Sequence, residues 1–210
     1  MSRARQTAGS SRAAHSQAQR ERILSAAEHC FTEHGFHAAS MAQIAKTADI
    51  STGLIYRYFS SKSELIHGIV ERQMQCFAED IQTFERDNSA PAAQVMQVMR
   101  GEHQLRPCGT RSHLEPALVL EISAESGRDR LIAEALARFN QQIDQAISDW
   151  MARPKAEGGF AVPAHKLPQR SMALRALLDG LKQRQVREPD MDMAAVEAML
   201  QDVLPLLMGE

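Results

Sequence analysis

The sequence predicts an all-α protein: a three-helix N-terminal helix-turn-helix domain followed by a larger helical body. Three observations predict it. Apolar residues recur at helical spacing in nine segments. No alternation of apolar and polar residues persists long enough for a strand. Three Ser-x-x-Gln/Glu pairs, Ser16–Gln19, Ser40–Gln43 and Ser61–Glu64, read as capping boxes that open helices.

Residues 1–15 are rich in Arg, Ser and Ala, lack apolar periodicity, and read as a disordered basic arm. The first helix starts near Gln17 and places Ile23, Leu24, Ala27, Cys30 and Phe31 on one face. Gly35 offers a left-handed cap at its end, and Phe36 can fold back on it. Ser40 opens a second helix with a short apolar face of Ile44, Ala45 and Ala48. Asp49-Ile50-Ser51 breaks that helix, and Ser51 caps a third through Phe59. Ser61 opens a long fourth helix, with a stripe through Leu65, Ile69, Met74, Phe77, Ile81 and Phe84 over about six turns. Asn88, Ser89 and Pro91 end it.

A fifth helix carries Val95, Met96, Val98 and Met99 to about Leu105, before Pro107 and Gly109. Leu114 to Ser126 is a mostly apolar sixth. Arg128 to about Arg153 is an amphipathic seventh, through Leu131, Leu136, Phe139, Ile147 and Trp150. A loop over 154–168 leads to the last two helices, Gln169–Val186 and Met191–Met208.

Composition excludes several classes. Hydrophobic residues make up 44%, so a core can form without disulfides. Cys30, Cys76 and Cys108 are odd in number and far apart. They suggest neither a disulfide framework nor a zinc site, and a reducing cytoplasm is the expected setting. No run of eighteen apolar residues is present, so no membrane span is expected. The polar residues around Arg3, Arg5 and Arg12 do not read as a signal peptide. His29, His34 and His37 share no single helix face, so no metal is expected. No nucleotide-binding loop and no nucleophile–base pair stands out, so neither a cofactor nor catalysis is expected.

The net charge of −2 hides an asymmetry. Residues 1–62 hold eight Lys+Arg and four Asp+Glu, a net of +4, and residues 63–210 hold sixteen and twenty-two, a net of −6. A basic quarter on an acidic body suits a protein whose one end meets phosphate. Within that quarter, Ser40 to Lys62 has the chemistry of a DNA reader. A sharp joint at Asp49-Ile50-Ser51 would let the next helix enter a major groove. Thr52 and Gly53 keep its first turn small enough for close backbone approach. Arg57 can fork to a guanine edge, and the Tyr56 and Tyr58 hydroxyls can meet phosphates. Ser40 and Lys62 stand at helix N-termini, where amides and charge both favour a phosphate. The DNA-binding set is therefore Ser40, Ser51, Thr52, Gly53, Tyr56, Arg57, Tyr58 and Lys62.

Residues 17–66 resemble the DNA-binding domain of the TetR family of bacterial transcriptional repressors. The matching stretch runs from Ile23 through Phe31, Gly35-Phe36, Ile44-Ala45, Gly53-Leu54-Ile55-Tyr56 and Tyr58-Phe59 to Lys62 and Leu65. The family usually carries a glycine in the joint, where this chain has Ala48-Asp49-Ile50. The resemblance implies a domain order of arm (1–15), DNA-binding domain (16–61) and ligand-binding and dimerisation domain (62–210). It implies a cytoplasmic homodimer on a near-palindromic double-stranded DNA operator, released by a small-molecule effector. The helix from Lys62 would link reader to pocket.

Expected pocket residues are Met74, Phe77, Met96, Met99, Leu118, Phe139, Ile143 and Trp150. His103, Glu121 and Asn140 would be the polar contacts, and the effector would be apolar or, if Glu121 is buried, cationic. The last two helices would pair with those of a second copy. Leu174, Leu177, Leu178 and Leu181 form the seam of one, and Val196, Met199, Leu200, Val203, Leu204 and Leu207 that of the other. The alternatives are an activator or dual regulator of the same fold, or an enzyme or small-molecule-binding protein with an incidental helix-turn-helix.

Overall fold

The computed structural model describes the backbone of residues 2–84, 90–100 and 114–209, and the side chains of 13–77, 90–97, 99–100 and 114–209. Among the described residues the regular elements are nine α-helices and one short 3-10 turn, Lys155–Glu157. The helices are α1 (Ser2–His34), α2 (Met41–Thr47), α3 (Thr52–Tyr58), α4 (Lys62–Phe84), α5 (Pro91–Arg100), α6 (Pro116–Ser126), α7 (Arg130–Ala152), α8 (Leu167–Arg187) and α9 (Met193–Met208). None of them is long and apolar enough to cross a membrane.

The chain divides into two compact units. The first joins Met1–Ile69 to Glu121–Ala133, and the second joins Val70–Leu120 to Glu134–Glu210.

In the first unit α1 packs on α2 and α2 on α3. Leu24, Phe31, Ile44, Ile55, Leu65 and Ile69 are fully buried between them, together with Ile122 and Ile132 from the later segment. At about 25 cal/mol per Å² of apolar surface, each such side chain contributes roughly 1.5–3 kcal/mol relative to exposure. The backbone is helical from Ser2, so residues 2–15 are part of α1 where an arm was expected. Ala, Arg and Gln are strong helix formers and need no apolar face to extend a helix that is already anchored. Ser16 consequently lies inside α1, not at its cap.

The joint between α2 and α3 is a Schellman motif. The Ile50 amide donates to Ala45 O at 3.0 Å and the Asp49 amide to Lys46 O at 3.0 Å. This geometry needs a left-handed residue, and Asp49 supplies it at φ 51°. Asp is among the few non-glycine residues that tolerate this region. Its carboxylate also receives Arg22 Nη2 at 3.0 Å. The family's glycine is thus replaced by a residue that keeps the turn.

In the second unit α5 and α8 pack on α9. Its core gathers Val95, Met96, Trp150, Leu174, Leu200 and Leu204, among others. Asp192 caps α9 by accepting from the amides of Ala194 and Ala195. Arg175 fixes α8 to α7, donating to Asn140 Oδ1 at 2.8 Å and Asp144 Oδ1 at 3.1 Å. One expectation is corrected here. Leu174, Leu181, Val196, Leu200 and Leu204 are 9% exposed or less within one chain, so they are its own core and not a seam left open for a partner. Helical periodicity marks a face as apolar but does not say which chain covers it. Leu177, Leu178, Met199 and Leu207 pack partly buried at the edge of that core, and Val203 is half-buried.

The strained position makes a test. Asp49→Val places a β-branched residue at positive φ and should destabilise the fold by about 1–3 kcal/mol. Asp49→Gly should stay within about 1 kcal/mol of wild type. Denaturant unfolding of the two variants measures the difference.

Candidate nucleic-acid interface

The local rules of helix capping build the reading pair. Ser40 Oγ accepts the Gln43 amide proton and Ser51 Oγ that of Leu54, each at 3.2 Å. These two caps fix where α2 and α3 begin. Ile55 and Phe59 turn into the core, at 0% and 3% exposure. Helical spacing then turns Gly53, Tyr56 and Arg57 away from that face, and all three are exposed, as is Thr52 at the first position of the helix. Tyr56 leaves 53% of its surface in solvent, unusual for an aromatic beside a core. Neither the Tyr56 nor the Arg57 side chain has a hydrogen bond or ion pair among the described residues. A Cβ built on Gly53 would meet nothing within 4 Å, so nothing inside the protein calls for a glycine there. Ser40 and Ser51 are exposed beside this face, while Tyr58 is half-buried. Six of the eight expected DNA-binding residues, Ser40, Ser51, Thr52, Gly53, Tyr56 and Arg57, therefore share solvent-facing positions on this pair of helices.

Lys62 is placed differently from expectation. Its Nζ donates to Phe36 O at 2.6 Å, Ala39 O at 3.0 Å and His37 O at 3.1 Å. It also sits 4.7 Å from the centre of the Phe36 ring. An ammonium has three protons, and three carbonyls take them. Lys62 ties α4 to the turn between α1 and α2, which leaves no donor for a phosphate.

That turn is held from a second side. Gly35 has φ 78° and ends α1 with its amide on Phe31 O at 2.9 Å, the single-bond left-handed cap. The next amide, of Phe36, donates to Glu121 Oε2 at 2.7 Å. His37 Nε2 lies 3.0 Å from Glu125 Oε1. Asp129 caps α7 through the amides of Leu131 and Ile132. A hydrogen bond from the Ser63 side chain, at the start of α4, is the main reason its carboxyl sits below the ordinary 3.8. The stability it lends is present above that ordinary value and is lost as pH falls through the lowered one.

Of the expected pocket residues, Met96, Met99 and Trp150 belong to the packed core of the second unit, with Ile143 packed against it, and Trp150 meets Phe160 edge-on at 4.8 Å. Leu118 is buried at 1% exposure. Met74, Phe77, Phe139, Asn140 and Ile143 are half-buried, with Phe77 and Phe139 edge-on at 5.8 Å. Asn140 is engaged by Arg175. Glu121 belongs to the first unit, and its engagement with Phe36 removes the ground for expecting a cationic effector. His103 lies outside the described residues, as does Cys108. Gln142, which periodicity did not single out, donates to Met74 O at 3.3 Å, while its Oε1 is buried with no hydrogen-bond partner among the described residues.

A profile described as bacterial regulatory proteins, tetR family, matches residues 23–69, the stretch that holds this reading pair. The chain is 32% identical over 164 residues to the HTH-type transcriptional regulator UidR of Escherichia coli (strain K12), an alignment covering 76% of each. The chain belongs to the TetR family. Among solved structures, Salmonella enterica GusR matches at 26% identity with a TM-score of 0.67, over 91% of this chain and 96% of that one. The FadR regulator from Bacillus subtilis, solved with stearoyl-CoA, shares the fold at a TM-score of 0.60 and 19% identity, over 90% and 97%. The chain is thus a helix-turn-helix, DNA-binding transcriptional regulator, and the relatives named are regulators rather than enzymes.

Within this TetR-family frame, sequence reasoning missed Glu121, Glu125 and Asp129 as parts of the DNA-binding unit. They lie far along the chain from the turn and helix they hold, and no local pattern announces them. It also misread Lys62, whose position beside a helix N-terminus fits a phosphate contact equally well. Lys62→Met tests the new placement. It should destabilise the fold by on the order of 1–3 kcal/mol, because three carbonyls lose their donor. If Lys62 met a phosphate, the variant would instead lower the salt dependence of DNA binding by about one unit of slope without unfolding.

Proposed function

We propose that this TetR-family regulator is a repressor that grips a near-palindromic operator as a homodimer through α3 and is released by a small molecule held in its second unit. The observation that carries the reading is the outward face of α3. It presents an exposed tyrosine, an exposed arginine whose side chain has no hydrogen bond or ion pair among the described residues, and a glycine that packing among them does not require. A bare first turn lets the backbone approach a groove, and Arg57 can then bind a guanine edge with two hydrogen bonds. Ser40 and Ser51, at the starts of α2 and α3, are set to receive the flanking phosphates. A two-fold dimer would set two copies of α3 roughly 34 Å apart, one helical turn of DNA.

The faces of α8 and α9 turned away from the core support the dimer. Met172 and Leu206 are 69% and 72% exposed. Ala173, Ala176 and Gly180 lie on the same exposed side of α8, and Ala195 and Ala198 on that of α9. Small residues let two helices approach at the short end of the usual 8–10 Å range, and an apolar rim gives such a contact its driving force. The dimer face is therefore assigned to these residues and no longer to the leucines of the core.

The effector is expected to be mainly apolar. Met74, Phe77, Phe139 and Ile143 offer adaptable apolar surface, and the free Oε1 of Gln142 offers one acceptor. The stearoyl-CoA complex of the FadR regulator supports a ligand in a body of this fold. A ligand that prefers the DNA-free arrangement shifts the population by its differential affinity alone.

The test uses an operator selected from a random-sequence duplex library by the wild-type protein. Arg57→Ala should weaken binding to it by about 10- to 100-fold, equivalent to 1–3 kcal/mol. Gly53→Ala should raise stability by up to about 1 kcal/mol, because alanine is the better helix former. It should nevertheless weaken operator binding about 10-fold or more. Unchanged affinity in both variants would remove α3 as the reader. Leu206→Glu should convert the dimer to monomer in sedimentation velocity and lower operator affinity, leaving the melting temperature of the monomer core nearly unchanged, because that side chain is exposed in the single chain. A thermal-shift panel of apolar small molecules, followed by operator release, tests the effector half.

A further inference from the structure

Two acids from a distant segment of the chain enter the DNA-binding unit. Glu121 and Glu125, one turn apart on α6, are 85 and 88 residues from the groups they bind. Glu125 is only 8% exposed and has a second basic neighbour in Arg128, at 3.3 Å. A negative charge within about 10 Å of a phosphate repels it at 0.1 M salt. Satisfying one backbone amide does not require a charge, because a neutral acceptor would do so at lower desolvation cost. Acids kept here need a compensating gain.

The gain lies in what they hold. The turn Gly35–Ala39 decides where the chain leaves α1 and enters α2. Its backbone groups are tied on every side: the Gly35 amide to Phe31 O, the Phe36 amide to Glu121, the Ala39 amide to Gly35 O, and three carbonyls to Lys62. A Cβ on Gly35 would stand 3.0 Å from Glu121 Oε1, so the glycine also gives the carboxylate its room. A charged acceptor makes a shorter and stronger bond than a neutral one, and 2.7 Å is in that range. α2 is seven residues long and α3 likewise, so an error of a few degrees at this turn is carried directly to Tyr56 and Arg57.

We propose that Glu121 is a positioning residue for DNA reading: through the Phe36 amide it fixes the α1–α2 turn, with Glu125 on His37 as the second hold, so that the reader is completed by a chain segment outside its own three helices. The proposal rests on α3 being the reading helix.

The full-length protein and the selected operator duplex test it, by fluorescence anisotropy across a salt series. Glu121→Ala removes the acceptor, whereas Glu121→Gln keeps an oxygen in place. The alanine variant should bind about 10-fold or more weakly, with the slope of log K against log salt unchanged within about 0.5, since no phosphate contact is lost. The glutamine variant keeps a weaker, neutral acceptor and should fall between the alanine variant and wild type, at the same slope. If the two acids act only through their charge, both variants bind more tightly, and the proposal fails. If Glu121 only supports the fold, the alanine variant melts lower yet binds normally well below its melting temperature, and the proposal fails again. Should Glu121→Ala not fold, His37→Ala decides: its side chain is 79% exposed, so folding tolerates the loss. The expected result is weaker binding by about 3-fold at unchanged slope, and wild-type affinity overturns the proposal. Arg57→Ala run alongside separates the two readings. If it binds normally, α3 is not the reader, whatever Glu121 does.

Discussion

Three backbone carbonyls, those of Phe36, His37 and Ala39, converge on the ammonium of Lys62. Carbonyls in a tight turn point in diverging directions and ordinarily find water. Gathering three on one cation at 2.6–3.1 Å makes the turn a rigid object. It also links the first residue of α4 to the last step before α2. The reading pair has no sheet and no disulfide to hold it, and its two helices are seven residues each, too short to persist alone in water. Their placement depends on the ends to which they are attached. One end is this turn. The other is the Schellman joint at Asp49, where left-handed backbone is held in a non-glycine residue.

A division of labour follows. Groups engaged inside the unit hold the turn and the start of α7: Lys62, Glu121 and Asp129. Groups left to solvent are Ser40, Ser51, Tyr56 and Arg57, the last two directly after the buried Ile55. A unit built this way meets its ligand with side chains while its backbone stays fixed, which limits the entropy lost on binding. The basic quarter and acidic body seen in the composition fit the same arrangement, with attraction at the reading face and solubility elsewhere.

Much of this was legible because capping and helical spacing are local. Ser40 and Ser61 are read from the Gln43 and Glu64 three positions on, Ser51 from the break before it, and each accepts the amide of the third residue after it. Gly35 announced a left-handed cap. The outward face of α3 followed from its buried Ile55. What was not legible is long-range or shared. Lys62 looked like a phosphate ligand because its partners are carbonyls, which every residue has and no sequence displays. Glu121 looked like a pocket residue because α6 is apolar on most sides, and its partner is an amide 85 residues away. The leucines of α8 and α9 were correctly apolar, yet periodicity cannot separate a core from an interface. The helical start of the chain was hidden for the opposite reason: propensity without an apolar face leaves no periodic mark.

On the proposed function, the exposed face of α3 reads base edges, with Arg57 as the guanine contact. Methylation interference on the selected operator addresses it most directly, because N7 methylation blocks the guanine edge that an arginine fork needs. Interfering guanines should fall in two clusters about one helical turn apart. One guanine per cluster should stop interfering when the probe protein is Arg57→Ala. Interference that is absent, or a pattern the loss of Arg57 leaves unchanged, would contradict this reading.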